Sequence, residues 1–138
     1  MNTKLYKQVH SYAEQLMAAA EQHDEKTFYG LYDRLKKLCD NNRGIERKDH
    51  PVQWETLADF TEDVEQALAL YDHALAMAMA IESSDHIASI NYSVAGLLIE
   101  LGRTADALAA ATQAKAAALH TSDSELQRET IKLVKQLR

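Results

Sequence analysis

The stretch that decides the fold is EDVEQALALYDHALAMA, residues 62–78. Within it, small and aromatic apolar residues recur every three or four positions, at Ala67, Tyr71, Ala74 and Ala78. An α-helix makes one turn in about 3.6 residues, so this spacing places them on one helical face. The stretch therefore predicts an amphipathic helix rather than a β-strand.

Related segments lie on both sides of this stretch. HDEKTFYGLYDRLKKLC, residues 23–39, shares the string Leu-Tyr-Asp, and its Tyr32 stands 39 positions before Tyr71. A third copy is GRTADALAAATQAKA, residues 102–116. Its Ala107-Leu108 stands 40 positions after Ala67-Leu68. Three copies at nearly constant spacing indicate an internal repeat, which is typical of stacked helical hairpins.

The same periodicity along the rest of the chain predicts seven helices and no strand. Asp24 and Thr104 are residue types that favour N-caps, and Ser122 with Glu125 forms a capping-box pattern. Gly102 stands where a helix C-cap glycine is expected. The predicted helices cover residues 3–22, 24–39, 51–60, 63–82, 85–101, 104–119 and 123–137.

These repeats resemble the tetratricopeptide repeat, in which helix A carries a large and a small residue and helix B carries Ala-Leu followed by an aromatic residue. Trp54 and Ala58 match helix A of the middle repeat, and Ala67 and Tyr71 match helix B. The Trp54-to-Ala67 interval is about one turn shorter than the family pattern, so helix A here should be short. The third repeat matches at Val94, Ala95, Leu98, Gly102, Ala107, Leu108, Ala111 and Ala114, and the first matches at Phe28, Leu31, Tyr32 and Leu35.

The resemblance implies an all-α fold in one domain, residues 1–138. Three TPR-like repeats (3–39, 51–82 and 85–119) would form a short right-handed solenoid, which a helix over 123–137 caps. It also implies a surface that holds another protein or peptide on the inner face of the A helices. By register, the partner-binding positions on that face are His10, Met17, Glu55, Asp59, Ser89, Tyr92 and Ile99.

The charge distribution indicates what kind of partner fits. The net charge is −6, and no Lys or Arg occurs between Lys48 and Arg103. An acidic middle repels phosphate backbones, so nucleic acid is not expected as a ligand, and a basic or amphipathic segment is. The alternative interpretation is a solvated acidic surface that serves solubility.

The segment DNNRGIERKDH, residues 40–50, interrupts the repeat. Its basic residues Arg43, Arg47 and Lys48 are further candidates for partner contact, either with another protein or with the acidic surface of a second copy in a homodimer. The alternative interpretation is a plain linker between repeats.

Motifs for catalysis or metal binding are missing from the sequence. It contains no HExxH, GxSxG, P-loop or zinc-type Cys/His spacing, so we expect no enzymatic activity, no metal and no cofactor. The lone Cys39 fits a core position better than a reactive one. The sequence thus favours a non-catalytic adaptor or scaffold. The second hypothesis is a dedicated guard of one partner, such as an immunity protein or secretion chaperone. The third is an enzyme or a nucleic-acid regulator.

The expected location is the cytoplasm. The N-terminal residues lack the apolar run of a secretory signal, and no stretch of 18 apolar residues exists. A single cysteine cannot form an internal disulfide, which suits a reducing compartment.

Overall fold

The structure is a computed structural model that describes residues 3–138. Over these residues the chain is all-α, with seven helices and no strand, as predicted. The helices are α1 (Thr3–Glu21), α2 (Glu25–Asn42), α3 (Pro51–Asp59), α4 (Val64–Ala80), α5 (Ser84–Glu100), α6 (Thr104–Ala118) and α7 (Ser124–Leu137). None of the helices within 3–138 is long and apolar enough to cross a membrane.

Two sequence signals for helix ends are confirmed. The Asp24 side chain caps α2 by accepting a hydrogen bond of 3.2 Å from the Thr27 amide. Gly102 follows α5 with a φ of +73°, and its amide donates to the Ile99 carbonyl at 2.9 Å. A positive φ is a conformation that only glycine adopts without a steric cost, so Gly102 lets α5 end sharply.

Two other cap predictions are wrong by one residue. Thr104 is the first residue of α6 rather than its cap, and the cap position belongs to Arg103, whose side chain makes no capping bond. The N-cap of α7 is Asp123 rather than Ser122, and its carboxylate accepts from the Leu126 amide at 3.0 Å. Asp and Ser are comparable N-cap residues, so the sequence alone does not separate neighbouring candidates.

The chain divides into two compact units, Met1–Leu70 and Tyr71–Arg138, with the division inside α4. In the N-terminal unit, α1 packs against α2, and α3 contacts both. α3 has only nine residues, as the shortened repeat interval predicted, and most of them are buried. The buried side chains of this unit include Leu5, Val9, Leu16, Leu31, Leu35, Cys39, Trp54 and Leu57.

In the C-terminal unit, α5 packs against α6, and α7 packs against both. α6 contributes a row of buried alanines at Ala107, Ala111 and Ala114, and the larger Ile90 and Val134 are also buried. Alanine side chains are short, so they let neighbouring helices approach closely. The buried apolar residues of this unit are therefore mostly alanines, with few large side chains among them.

Candidate partner-binding site

The turn between α1 and α2 builds a pocket in the N-terminal unit. The chain leaves α1 through His23, which takes a positive φ of +54°, and the amide of Asp24 donates to the Ala19 carbonyl at 2.9 Å. The Asp24 carboxylate then caps α2, and its hydrogen bonds with Thr27 lower the pKa of that carboxyl. The geometry of the turn is thus fixed by local bonds on both sides.

The pocket has a volume of about 240 Å³. Ala19 and Ala20 line it from α1, and each presents only a methyl group, which leaves room for a ligand. Phe28 and Tyr29 line it from α2. Pockets that combine an apolar lining with a few polar groups are the usual form of binding sites in proteins.

Phe28 and Tyr29 form an aromatic wall of the pocket, and contacts between aromatic rings support it. The ring centroids of Phe28 and Tyr29 lie 5.3 Å apart with an angle of 86° between the planes. Phe60 contacts Phe28 edge-on, with centroids 6.3 Å apart. Tyr29 is 44% exposed, whereas Phe28 is half-buried. The wall therefore presents aromatic surface to solvent.

Three carboxylates complete the lining: Asp24 and Glu25 at the start of α2, and Glu62 from the α3–α4 connection. The Tyr29 hydroxyl donates a hydrogen bond of 2.5 Å to Glu62, and this bond raises the pKa of Tyr29. Among the described residues 3–138, no Lys or Arg lines this pocket. The site therefore places negative charge beside aromatic surface, an arrangement that suits an amphipathic cation.

The α1 positions predicted from the repeat register lie on exposed surface. Met17 is 52% exposed, and His10 is also exposed. The Nε2 atom of His10 lies 2.9 Å from the Glu14 carboxylate, one helical turn away. Neither His10 nor Met17 lines the pocket at the α1–α2 turn.

The α3 positions differ sharply from one another. Glu55 is buried, with 8% of its surface exposed, whereas Asp59 is exposed. The expected exposed acidic face of α3 is therefore reduced to Asp59. The physical reason is that α3 is short and contacts both α1 and α2, so little of its circumference reaches solvent.

The predicted positions of the C-terminal unit are partly engaged within the fold. Ile99 is 42% exposed, whereas Ser89 and Tyr92 are half-buried. Burial raises the pKa of Tyr92, and so does its hydrogen bond with Glu129 of α7. The Tyr92 hydroxyl therefore links α5 to α7.

The basic segment between α2 and α3 is ordered by Asp49. The Asp49 carboxylate accepts hydrogen bonds from the Gly44 amide at 2.8 Å and from the Trp54 indole at 2.6 Å. The Arg43 guanidinium lies 4.7 Å from the centre of the Trp54 ring. Arg47 and Lys48 are exposed. This segment is thus an ordered connection, and the Arg43 side chain contacts the Trp54 ring.

Sequence reasoning missed the pocket. Phe28 was expected only as a core residue of the first repeat, and nothing in the local pattern distinguishes its neighbour Tyr29. Glu62 is 33 positions from Tyr29, so only the fold brings the two side chains together. The one available signal was the capping residue Asp24, which marks the turn where the pocket lies.

Within residues 3–138, no group of three or more His, Cys, Asp or Glu side chains is arranged to hold a metal ion. Comparison of the chain with models of protein families, with curated proteins and with solved structures finds no match.

Proposed function

We propose that this chain is a non-catalytic protein-binding module that holds a basic, amphipathic segment of another protein. The observation that carries the proposal is the pocket at the α1–α2 turn, where the Phe28 and Tyr29 rings lie beside three carboxylates. Aromatic surface gains free energy by burying apolar groups of a ligand. The carboxylates favour a positively charged partner and disfavour an acidic one.

The proposal includes a TPR-like arrangement of the helices. The buried alanines Ala107, Ala111 and Ala114 support it, because they fall at small-residue positions of that family's pattern. Stacked hairpins of this kind offer extended surfaces on which a peptide can lie. An adaptor or scaffold role follows from such surfaces.

The acidic contact is assigned to Asp24, Glu25 and Glu62 rather than to Glu55. A partner cannot reach Glu55 without opening the packing of α3, since that side chain is buried. Asp24 lies in the α1–α2 turn, Glu25 in the first turn of α2 and Glu62 in the α3–α4 connection. All three residues are exposed.

The test uses defined synthetic peptides in solution. A labelled 18-residue amphipathic peptide with Lys and Leu should bind the protein in a fluorescence-anisotropy titration, whereas the same peptide with Glu in place of Lys should not. The double variant Glu25→Gln with Glu62→Gln should weaken binding several-fold, because it removes two of the pocket charges and keeps the side-chain shapes.

The matched control is Glu65→Gln with Asp72→Asn. Both residues are exposed on α4, neither lines the pocket, and the change in net charge is the same. This variant should bind as well as the unmodified protein. The proposal is wrong if the basic peptide fails to bind, or if both double variants lose affinity equally, since the attraction would then be non-specific.

A further inference from the structure

We propose that the pocket at the α1–α2 turn takes the side chain of a lysine from the partner and selects it over arginine. The inference rests on the proposed function and names the group that enters the site. Phe28 and Tyr29 form two walls nearly at right angles, and the pocket of about 240 Å³ beside them is open to solvent. The narrow alkyl stem and compact ammonium of lysine fit such a space.

Aromatic faces attract an ammonium group electrostatically when it lies within about 6 Å of a ring centre. Tyr29 is 44% exposed and has its hydroxyl bound to Glu62, so its ring is held in place at the pocket. The Phe28 ring also contacts the Phe60 ring edge-on. A lysine that lies against these rings meets surface that is already ordered, which lowers the entropic cost of binding.

Two of the three pocket carboxylates favour lysine, because one oxygen of each already accepts a hydrogen bond from the protein. Oδ1 of Asp24 accepts the Thr27 amide, and Oε1 of Glu62 accepts the Tyr29 hydroxyl. Arginine binds best when its planar fork contacts both oxygens of one carboxylate. The ammonium of lysine is a point charge with three rotatable donors, so it can contact single oxygens of two different carboxylates.

The charges of the chain itself leave the site open to an external cation. Within the described part of the chain, the pocket lining includes three carboxylates and neither a Lys nor an Arg. Glu25 is exposed in the first turn of α2. Charge complementarity thus points to a cation supplied by the partner.

Nuclear magnetic resonance with small model compounds tests the inference directly. N-acetyl-lysine methylamide, added to the ¹⁵N-labelled protein, should shift the amide signals of Ala19 to Tyr29 and of Glu62. The arginine and norleucine analogues should need several-fold higher concentrations for the same shifts. The inference fails if norleucine acts equally, because the pocket would then be merely apolar, or if arginine binds as well as lysine.

The matched pair of variants is Tyr29→Leu and Tyr6→Leu. Tyr6 is also an exposed tyrosine, at 38%, and it does not line the pocket. Loss of one ring at an exposed cation site should weaken lysine binding about 2- to 5-fold in Tyr29→Leu, and Tyr6→Leu should be unchanged. Equal effects of the two changes would contradict the inference.

A peptide experiment separates this inference from the proposed function. The basic amphipathic peptide is prepared once with lysine and once with arginine at every cationic position. Tighter binding of the lysine form, lost in Tyr29→Leu, supports both proposals. Equal binding of the two forms at the pocket overturns the lysine selectivity and leaves the protein-binding function intact. Binding of neither form overturns the function, and the inference falls with it.

Discussion

The indole nitrogen of Trp54 donates a hydrogen bond of 2.6 Å to Oδ1 of Asp49. Trp54 is 1% exposed, so this bond ties the segment between α2 and α3 to the most deeply buried aromatic side chain of the N-terminal unit. Asp49 also holds the Gly44 amide and the Gln53 side-chain amide, at 2.8 and 3.1 Å. Asp49 therefore holds the segment between α2 and α3 against the core of this unit.

Trp54→Ala should lower the free energy of unfolding by about 3–5 kcal/mol, because it removes a buried aromatic ring and leaves a cavity. Trp54→Phe should cost less, since much of the buried volume remains, although the bond to Asp49 is lost. Urea unfolding followed by circular dichroism measures both. An unchanged midpoint for Trp54→Ala would show that the indole is not part of the core.

Asp49→Ala should loosen the loop without unfolding the helices. The Gly44 amide loses its acceptor, so its hydrogen exchange should become faster, whereas the exchange of amides in the middle of α1 should change little. Hydrogen exchange measured by NMR resolves the two sets. Unchanged exchange of Gly44 would mean that the Asp49 carboxylate does not order the segment.

Cys39 should be almost inert in the folded protein. Its side chain is fully buried, and burial, aided by Asp40 and Asp49, raises the pKa of the thiol to about 12. A thiol attacks as the thiolate, so the native protein should react slowly with iodoacetamide at pH 8, with little increase up to pH 10. Unfolding in urea should restore the rate of a free cysteine. Rapid, complete reaction of the native protein would contradict this assignment.

Val134 anchors the last helix. It is 2% exposed, and α7 packs against α5 and α6. Val134→Ala should cost roughly 2 kcal/mol of stability from lost burial and an added cavity, whereas Lys135→Ala, at an exposed neighbour, should be near neutral. Thermal unfolding compares the two variants. Equal melting temperatures would show that α7 does not stabilise the C-terminal unit, although the sequence predicts it as a cap.

Much of the fold could be predicted because helical periodicity is a local signal. All seven helices were found from the spacing of apolar residues, and Cys39 was correctly expected in the core. The end of α2 was placed three residues too early, at 39 instead of Asn42, because Asp-Asn-Asn looks like a turn. Asn42 instead stays helical and buried, and its amide donates to the Gln53 side chain at 3.1 Å.

The candidate site could not be predicted in the same way, because it depends on contacts between distant segments. Glu55 and Asp59 are one helical turn apart, and only the packing of α3 buries the first and exposes the second. Tyr29 and Glu62 have no pattern in common, yet the fold joins them by a hydrogen bond. The distribution of charged residues along the chain indicated that the binding surface is negatively charged, but it did not indicate where that surface lies.

The central claim is that the acidic pocket at the α1–α2 turn binds a basic segment. Its most direct test is the salt dependence of the dissociation constant for the Lys/Leu peptide, measured for the unmodified protein and for Glu25→Gln with Glu62→Gln. Screening acts over about 10 Å at 0.1 M salt, so affinity should fall as salt rises in the unmodified protein. The slope should be clearly flatter in the double variant, because two of the attracting charges are gone. Identical slopes, or an affinity that salt does not change, would contradict the account.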